Sequence, residues 1–133
     1  MDRFVVINAK TGARLADRAE LAESFWARAR GLLGRAELKE GEGLILRPCN
    51  SVHMFFMRFP LDVAFLDKIG RVVGLSWNLP PGAVSRIYPR AVQAVELPAG
   101  TLGRTGTNLG DILEFRPAEL EVIKPDGWVK DSF

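Results

Sequence analysis

His53 is the only histidine among the 133 residues. It lies in the densest mixture of polar and apolar groups in the chain, Cys49-Asn50-Ser51-Val52-His53-Met54-Phe55-Phe56-Met57. In an extended strand alternate residues share a face, so Cys49, Ser51, His53, Phe55 and Met57 would line one side. Cys, His and Met are soft metal ligands. At ~3.3 Å per residue, however, Cys49 and His53 would stand roughly 13 Å apart, and no second Cys or His completes a set, so no metal site is expected. The same separation rules out a Cys–His nucleophilic pair and points to Cys49 as a semi-buried thiol without catalytic duty. Ser51 is closer to His53, and Asp62 could orient the imidazole. Yet no Gly-x-Ser-x-Gly elbow surrounds Ser51, and no catalytic residue is assigned. A lone histidine among Met and Phe is most often a hydrogen-bonded core residue, and that bland reading competes with a ligand-site role.

Two carboxylates interrupt apolar runs. Asp62 sits within Pro60-Leu61-Asp62-Val63-Ala64-Phe65-Leu66, and Glu96 within Val92-Gln93-Ala94-Val95-Glu96-Leu97. A carboxylate on a half-buried strand must find donors or face a cavity; a structural ion pair or surface charge is the bland alternative for each. The short Arg58-Phe59-Pro60 turn between residues 51–57 and 61–66 makes His53 and Asp62 cross-strand partners if both segments are strands. The candidate ligand-binding set is therefore His53, Asp62, Ser51 and Glu96 around one polar space. The Gly-rich stretch from Gly100 to Gly110 lacks the Gly-Lys-Ser/Thr of a phosphate loop. Trp77, Arg86, Tyr88 and Arg90 could hold a sugar, base or protein, but more often such residues pin a long loop to a sheet.

The elements that must position these groups are mainly strands. Residues 3–8 are β-branched and aromatic and end in the Lys10-Thr11-Gly12 turn. Strands are expected at 13–22, 44–46, 51–57, 61–66, 71–77, 91–97, 111–115 and 119–124, with loops at 78–90 and 99–110. One short helix is expected at 24–33, with Ser24 as its cap and Gly34 as its stop. Short strands separated by Gly and Pro predict a single domain over residues 1–133, mainly β, an antiparallel sandwich or barrel with that one helix. With 47% hydrophobic residues the chain is no disordered segment. Eighteen basic against 16 acidic residues leave a net charge of +2. That near-balance predicts neither nucleic acid nor a membrane surface as partner. One cysteine, no signal-peptide pattern and no long apolar run predict a cytoplasmic protein.

Several blocks come in a familiar order. They are Arg28-Ala-Arg-Gly-Leu-Leu-Gly34, Gly43-Leu-Ile-Leu46, Met57-Arg-Phe-Pro-Leu-Asp-Val-Ala-Phe-Leu-Asp67, Gly70-Arg-Val-Val73, Arg90-Ala-Val-Gln-Ala-Val-Glu-Leu-Pro-Ala-Gly100 and Gly110-Asp111. Over about residues 4–124 the chain resembles the bacterial and archaeal family called domain of unknown function 192, with Gly31-Leu32-Leu33 where that family often has Gly-Leu-Met. The resemblance implies a compact all-β domain with a short helix and carries no reaction, cofactor or partner. Two functions stay open. One is a non-catalytic binding or accessory protein with a pocket near His53 and Asp62, taking a small molecule or a protein and no cofactor. The other is a hydrolase-type enzyme using His53 with Asp62 or Ser51.

Overall fold

The computed structural model describes residues 3–24, 27–28 and 31–118. Seven strands form one sheet: β1 (Arg3–Asn8), β2 (Arg14–Ala22), β3 (Glu42–Leu46), β4 (Leu61–Leu66), β5 (Val72–Leu79), β6 (Gln93–Pro98) and β7 (Leu113–Pro117). A short helix, α1 (Thr101–Thr105), follows β6. The spatial order is β5-β4-β6-β3-β2-β1-β7.

All neighbours are antiparallel except β2 and β3, which run parallel from Arg18↔Glu42 to Ala22↔Leu46. A parallel pair needs a crossover, and residues 23–41 supply it, packing Leu32 and Leu38 against the sheet. The expected antiparallel sandwich or barrel holds in part: the fold is mainly β and mostly antiparallel, but it is a single mixed sheet and not two packed layers. It curls until its two edge strands meet at one end. There Val72 N–H donates to Asp111 O (2.8 Å) and Leu113 N–H to Gly70 O (2.9 Å). Gly70 permits this closure: its φ is 89°, and a Cβ would lie 2.6 Å from Leu113 O.

The concave face draws on all seven strands, through Val6, Leu15, Ile45, Leu66, Leu75, Val95 and Leu113. The convex face carries Leu44, Leu46, Val63, Phe65 and Ala94, covered by Leu32, Val52 and Met54 from the connecting segments. Strand β4, flanked by β5 and β6, is therefore buried at every position, and its sequence reads as an almost unbroken apolar run. Register sets Asp62 opposite Leu97 and Val63 opposite Glu96 on β6. Because side chains alternate, Asp62 joins Ala64 and Leu66 on the concave face, while Glu96 joins Val63 and Ala94 on the convex one.

Two expectations about segments change. Residues 51–57 are not a strand. Only His53 makes a bridge, to Val84, and the chain then turns tightly, with Met57 N–H on Met54 O (3.2 Å) and Phe56 at φ 65°. Residues 99–110 are not all loop, since they contain α1. The 24–33 helix is helical at Ala27 and Arg28, where Ser24 Oγ accepts from Ala27 N–H (3.0 Å) as a cap does. Residues 25–26 and 29–30, and the strand expected at 119–124, lie outside the described residues.

Candidate functional site

A cavity of about 330 Å³ opens on the convex face, between the 28–33 crossover, the 46–53 segment and strand β6. Arg28, Cys49, Asn50, Ser51, His53 and Glu96 are its polar lining, and Leu32, Leu46 and Met57 are among its apolar walls.

Glu96 is delivered by β6, whose register against β3 and β4 leaves it no choice of face. It is only 6% exposed. Among the described residues nothing donates a hydrogen bond to its carboxyl or pairs with it in a salt bridge. Loss of hydration disfavours the charged form, and burial alone pushes this carboxyl up to about 7.

Cys49 stands near it. Its Sγ donates to Ser51 O at 3.1 Å. Burial pushes the thiol above its ordinary value; Glu96 adds to that, while the Ser51 hydrogen bond and Arg28 oppose it. Arg28 donates from Nη1 to Pro48 O (3.3 Å), and its Nε is buried without a partner. His53 is exposed at the rim and stacks on Phe55 at 4.9 Å. Its Nδ1 accepts from Phe55 N–H (3.3 Å), which makes Nε2 the donor of the neutral ring.

Asp62 does not belong to this space. Its Oδ1 accepts from Asn78 N–H (2.8 Å), and its Oδ2 from Gly100 N–H (3.0 Å) and Leu102 N–H (2.9 Å). The carboxylate is consumed on the concave face, where it ties the end of β5 to the start of α1. The expected His53–Asp62 pairing fails because residues 51–57 never pair with β4; β4 pairs instead with β5 and β6. Ser51, His53 and Glu96 are brought together as expected, while Cys49 and Arg28 are additions. Nothing in the sequence marks Arg28, since only the crossover brings it over Pro48.

Tyr88 does pin a loop to the sheet. Its ring stands 4.6 Å from that of Phe65 and fills the space that a side chain at Gly74 would need. A second polar cluster is structural. Asn8 Nδ2 donates to Asp111 Oδ2 (3.0 Å), and Asn108 N–H donates to the same atom (2.9 Å). These bonds hold the Asp111 carboxyl below the usual carboxylate range and fasten the loop before β7 to β1. Among the described residues no three His, Cys, Asp or Glu side chains are grouped to hold a metal ion.

The Cys49 environment has a direct consequence. With its thiolate disfavoured, iodoacetamide at neutral pH should alkylate Cys49 at least about tenfold more slowly in the native protein than in urea. Equal rates would show an accessible, activated thiolate and contradict this geometry.

The profile of a family described as DUF192, "Uncharacterized ACR", matches residues 6–115. A UPF0127 protein of Thermococcus sibiricus (strain DSM 12597 / MM 739) is 30% identical over 125 residues, covering 86% of this chain and 77% of its own. Among solved structures, a protein of unknown function from Novosphingobium aromaticivorans DSM 12444 superposes with a TM-score of 0.75 at 28% identity, over 84% of this chain and 83% of that one. A chain from Sinorhizobium meliloti 1021, provisionally described as a transcription regulator, has a TM-score of 0.73 at 27% identity, over 86% and 92%.

Proposed function

We propose that this chain, which belongs to the DUF192 family of uncharacterized proteins, is a non-catalytic binding domain that takes a small polar ligand against Glu96. One observation carries the reading: Glu96, 6% exposed and with no hydrogen-bond partner for its carboxyl among the described residues, faces a cavity of about 330 Å³. A carboxyl so largely withdrawn from water without a donor is poorly compensated for its lost hydration, and a ligand that donates to it offsets that loss. The volume holds about ten waters at ~30 Å³ each, at the lower end of small-molecule pockets. His53 Nε2–H and the Ser51 hydroxyl offer donors near the rim. The matching ligand is compact, with an amine, amide or hydroxyl donor at one end and an acceptor at the other. A cytoplasmic location goes with this proposal, on the strength of the single unpaired cysteine. Among the described residues no helix is long and apolar enough to cross a membrane.

The hydrolase reading is the weaker one. Asp62 is spent elsewhere, and His53 Nδ1 is occupied by a backbone donor rather than by an orienting carboxylate.

Ligand-observed NMR against a set of compact amines, amides and alcohols tests the proposal. Binders should be found in the parent protein and lost in both Glu96→Ala and Ser51→Ala. Binders indifferent to both substitutions, or none at all, would overturn it.

A further inference from the structure

The charges of this chain are not evenly spread. Asp and Glu are absent between Glu42 and Asp62, and again between Asp67 and Glu96. Folding lays the two acid-free stretches side by side. Met54 N–H donates to Ala83 O (2.7 Å), Gly82 N–H to Met54 O (2.8 Å) and Ser85 N–H to Val52 O (2.9 Å). The His53↔Val84 bridge lies among these bonds.

The combined surface is apolar at its tip. Phe56 is 89% exposed and its neighbour Phe55 is exposed with it, while Val84 and Ile87 are exposed further along the paired segment, Val84 opposite His53. Phe56 sits at φ 65°, a backbone region that bulky residues rarely occupy, and the turn it makes presents the ring to solvent. Arg58, Arg86 and Arg90 are exposed on the same two segments. Among the described residues none of these three has an ion pair, whereas Arg3, Arg18, Arg35, Arg47, Arg104 and Arg116 each face a carboxylate.

We propose that the paired segments 52–58 and 80–90 form a docking surface for an anionic phospholipid bilayer. An anionic headgroup layer attracts unpaired arginines within about a Debye length, and the apolar tip enters the boundary between headgroups and acyl chains. The two attractions draw on residues of the same two paired segments. Val84 and Ile87 contribute to burial in lipid and offer nothing for a nucleic-acid base to stack on. Arg58, Arg86, Arg90, Phe56, Val84 and Ile87 are not among the residues lining the Glu96 cavity, so the inference is tested separately, although His53 and Met57 of the same segment do line it.

Sedimentation of the full chain with vesicles tests it. Phosphatidylcholine vesicles containing about a third phosphatidylglycerol should bind at least about tenfold more tightly than pure phosphatidylcholine. Raising the salt from about 0.1 M to about 1 M, which shortens the Debye length from ~10 Å to ~3 Å, should release the protein. Arg86→Gln with Arg90→Gln, and separately Phe56→Asn with Ile87→Ser, should each weaken binding about tenfold while leaving the thermal transition in place, because all four side chains are exposed. Asn is chosen at position 56 because it tolerates a positive φ. No sedimentation with the anionic vesicles would overturn the proposal. So would binding unchanged by both double variants, or binding to a single-stranded oligonucleotide with none to vesicles.

Discussion

Replacing Asp62 by Ala should cost about 4 kcal/mol of folding stability, read as a fall in the urea midpoint with an unchanged slope. The carboxylate is 1% exposed and accepts from three backbone N–H groups on two separate elements. Removing it leaves three donors facing a small void, and each buried unpaired donor costs roughly 1–3 kcal/mol. Water entering the void recovers part of that, which keeps the sum below three full penalties. Asp62→Asn should fall in between: one oxygen remains, but the amide now turns an N–H₂ toward a backbone donor. The Glu96 cavity lies on the other face, so binders of that cavity should keep their affinity in Asp62→Asn below its melting temperature. A loss under about 1 kcal/mol for Asp62→Ala would mean that these bonds are not the organisers of Gly100–Leu102.

Glu96 carries the second large expected effect, and its sign is opposite to that of most carboxylates. The folded value is about 7, against 4.5 for the unreacted group. Between those two pH values the folded chain holds a proton that the unfolded chain has lost. Stability therefore falls as pH rises from about 4.5 to about 7 and levels off above. The difference corresponds to about 3 kcal/mol at ~1.4 kcal/mol per unit. Glu96→Gln keeps the shape and removes the charge, so it should be more stable than the parent by about that amount at pH 8 and nearly equal to it at pH 4. Urea titrations of both proteins across this range give the result by subtraction, which cancels every other titrating group. Parallel curves would show that Glu96 is not desolvated in the fold. A ligand that donates to the ionised carboxylate should, by the same linkage, bind more tightly as pH rises through 7 and restore the lost stability.

Much of the sheet was legible because its strands are locally consistent. The β-branched and aromatic run at 3–8, the apolar run at 61–66 and the Gly70 turn each agree with what neighbouring strands require. The 51–57 segment misled for a physical reason. Alternation is a property of paired backbone, and this segment spends its backbone hydrogen bonds on a turn and on the 80–90 loop. Glycine richness also misled at 99–110, because Gly100 and Gly106 serve as the two left-handed ends of α1.

By itself the sequence determined that the chain is mainly β, and it offered His53, Asp62, Ser51 and Glu96 as candidate ligand-binding residues. Those are local facts, set by propensity, pattern and residue type. Tertiary structure alone decided that Asp62 and Glu96, adjacent in register, lie on opposite faces, since that depends on which strands become neighbours. It also decided that Arg28 joins the cavity, because the crossover between parallel strands brings it over Pro48. The near-neutral charge of the whole chain gave no hint of an acid-free face, because net charge sums over positions that only folding separates in space.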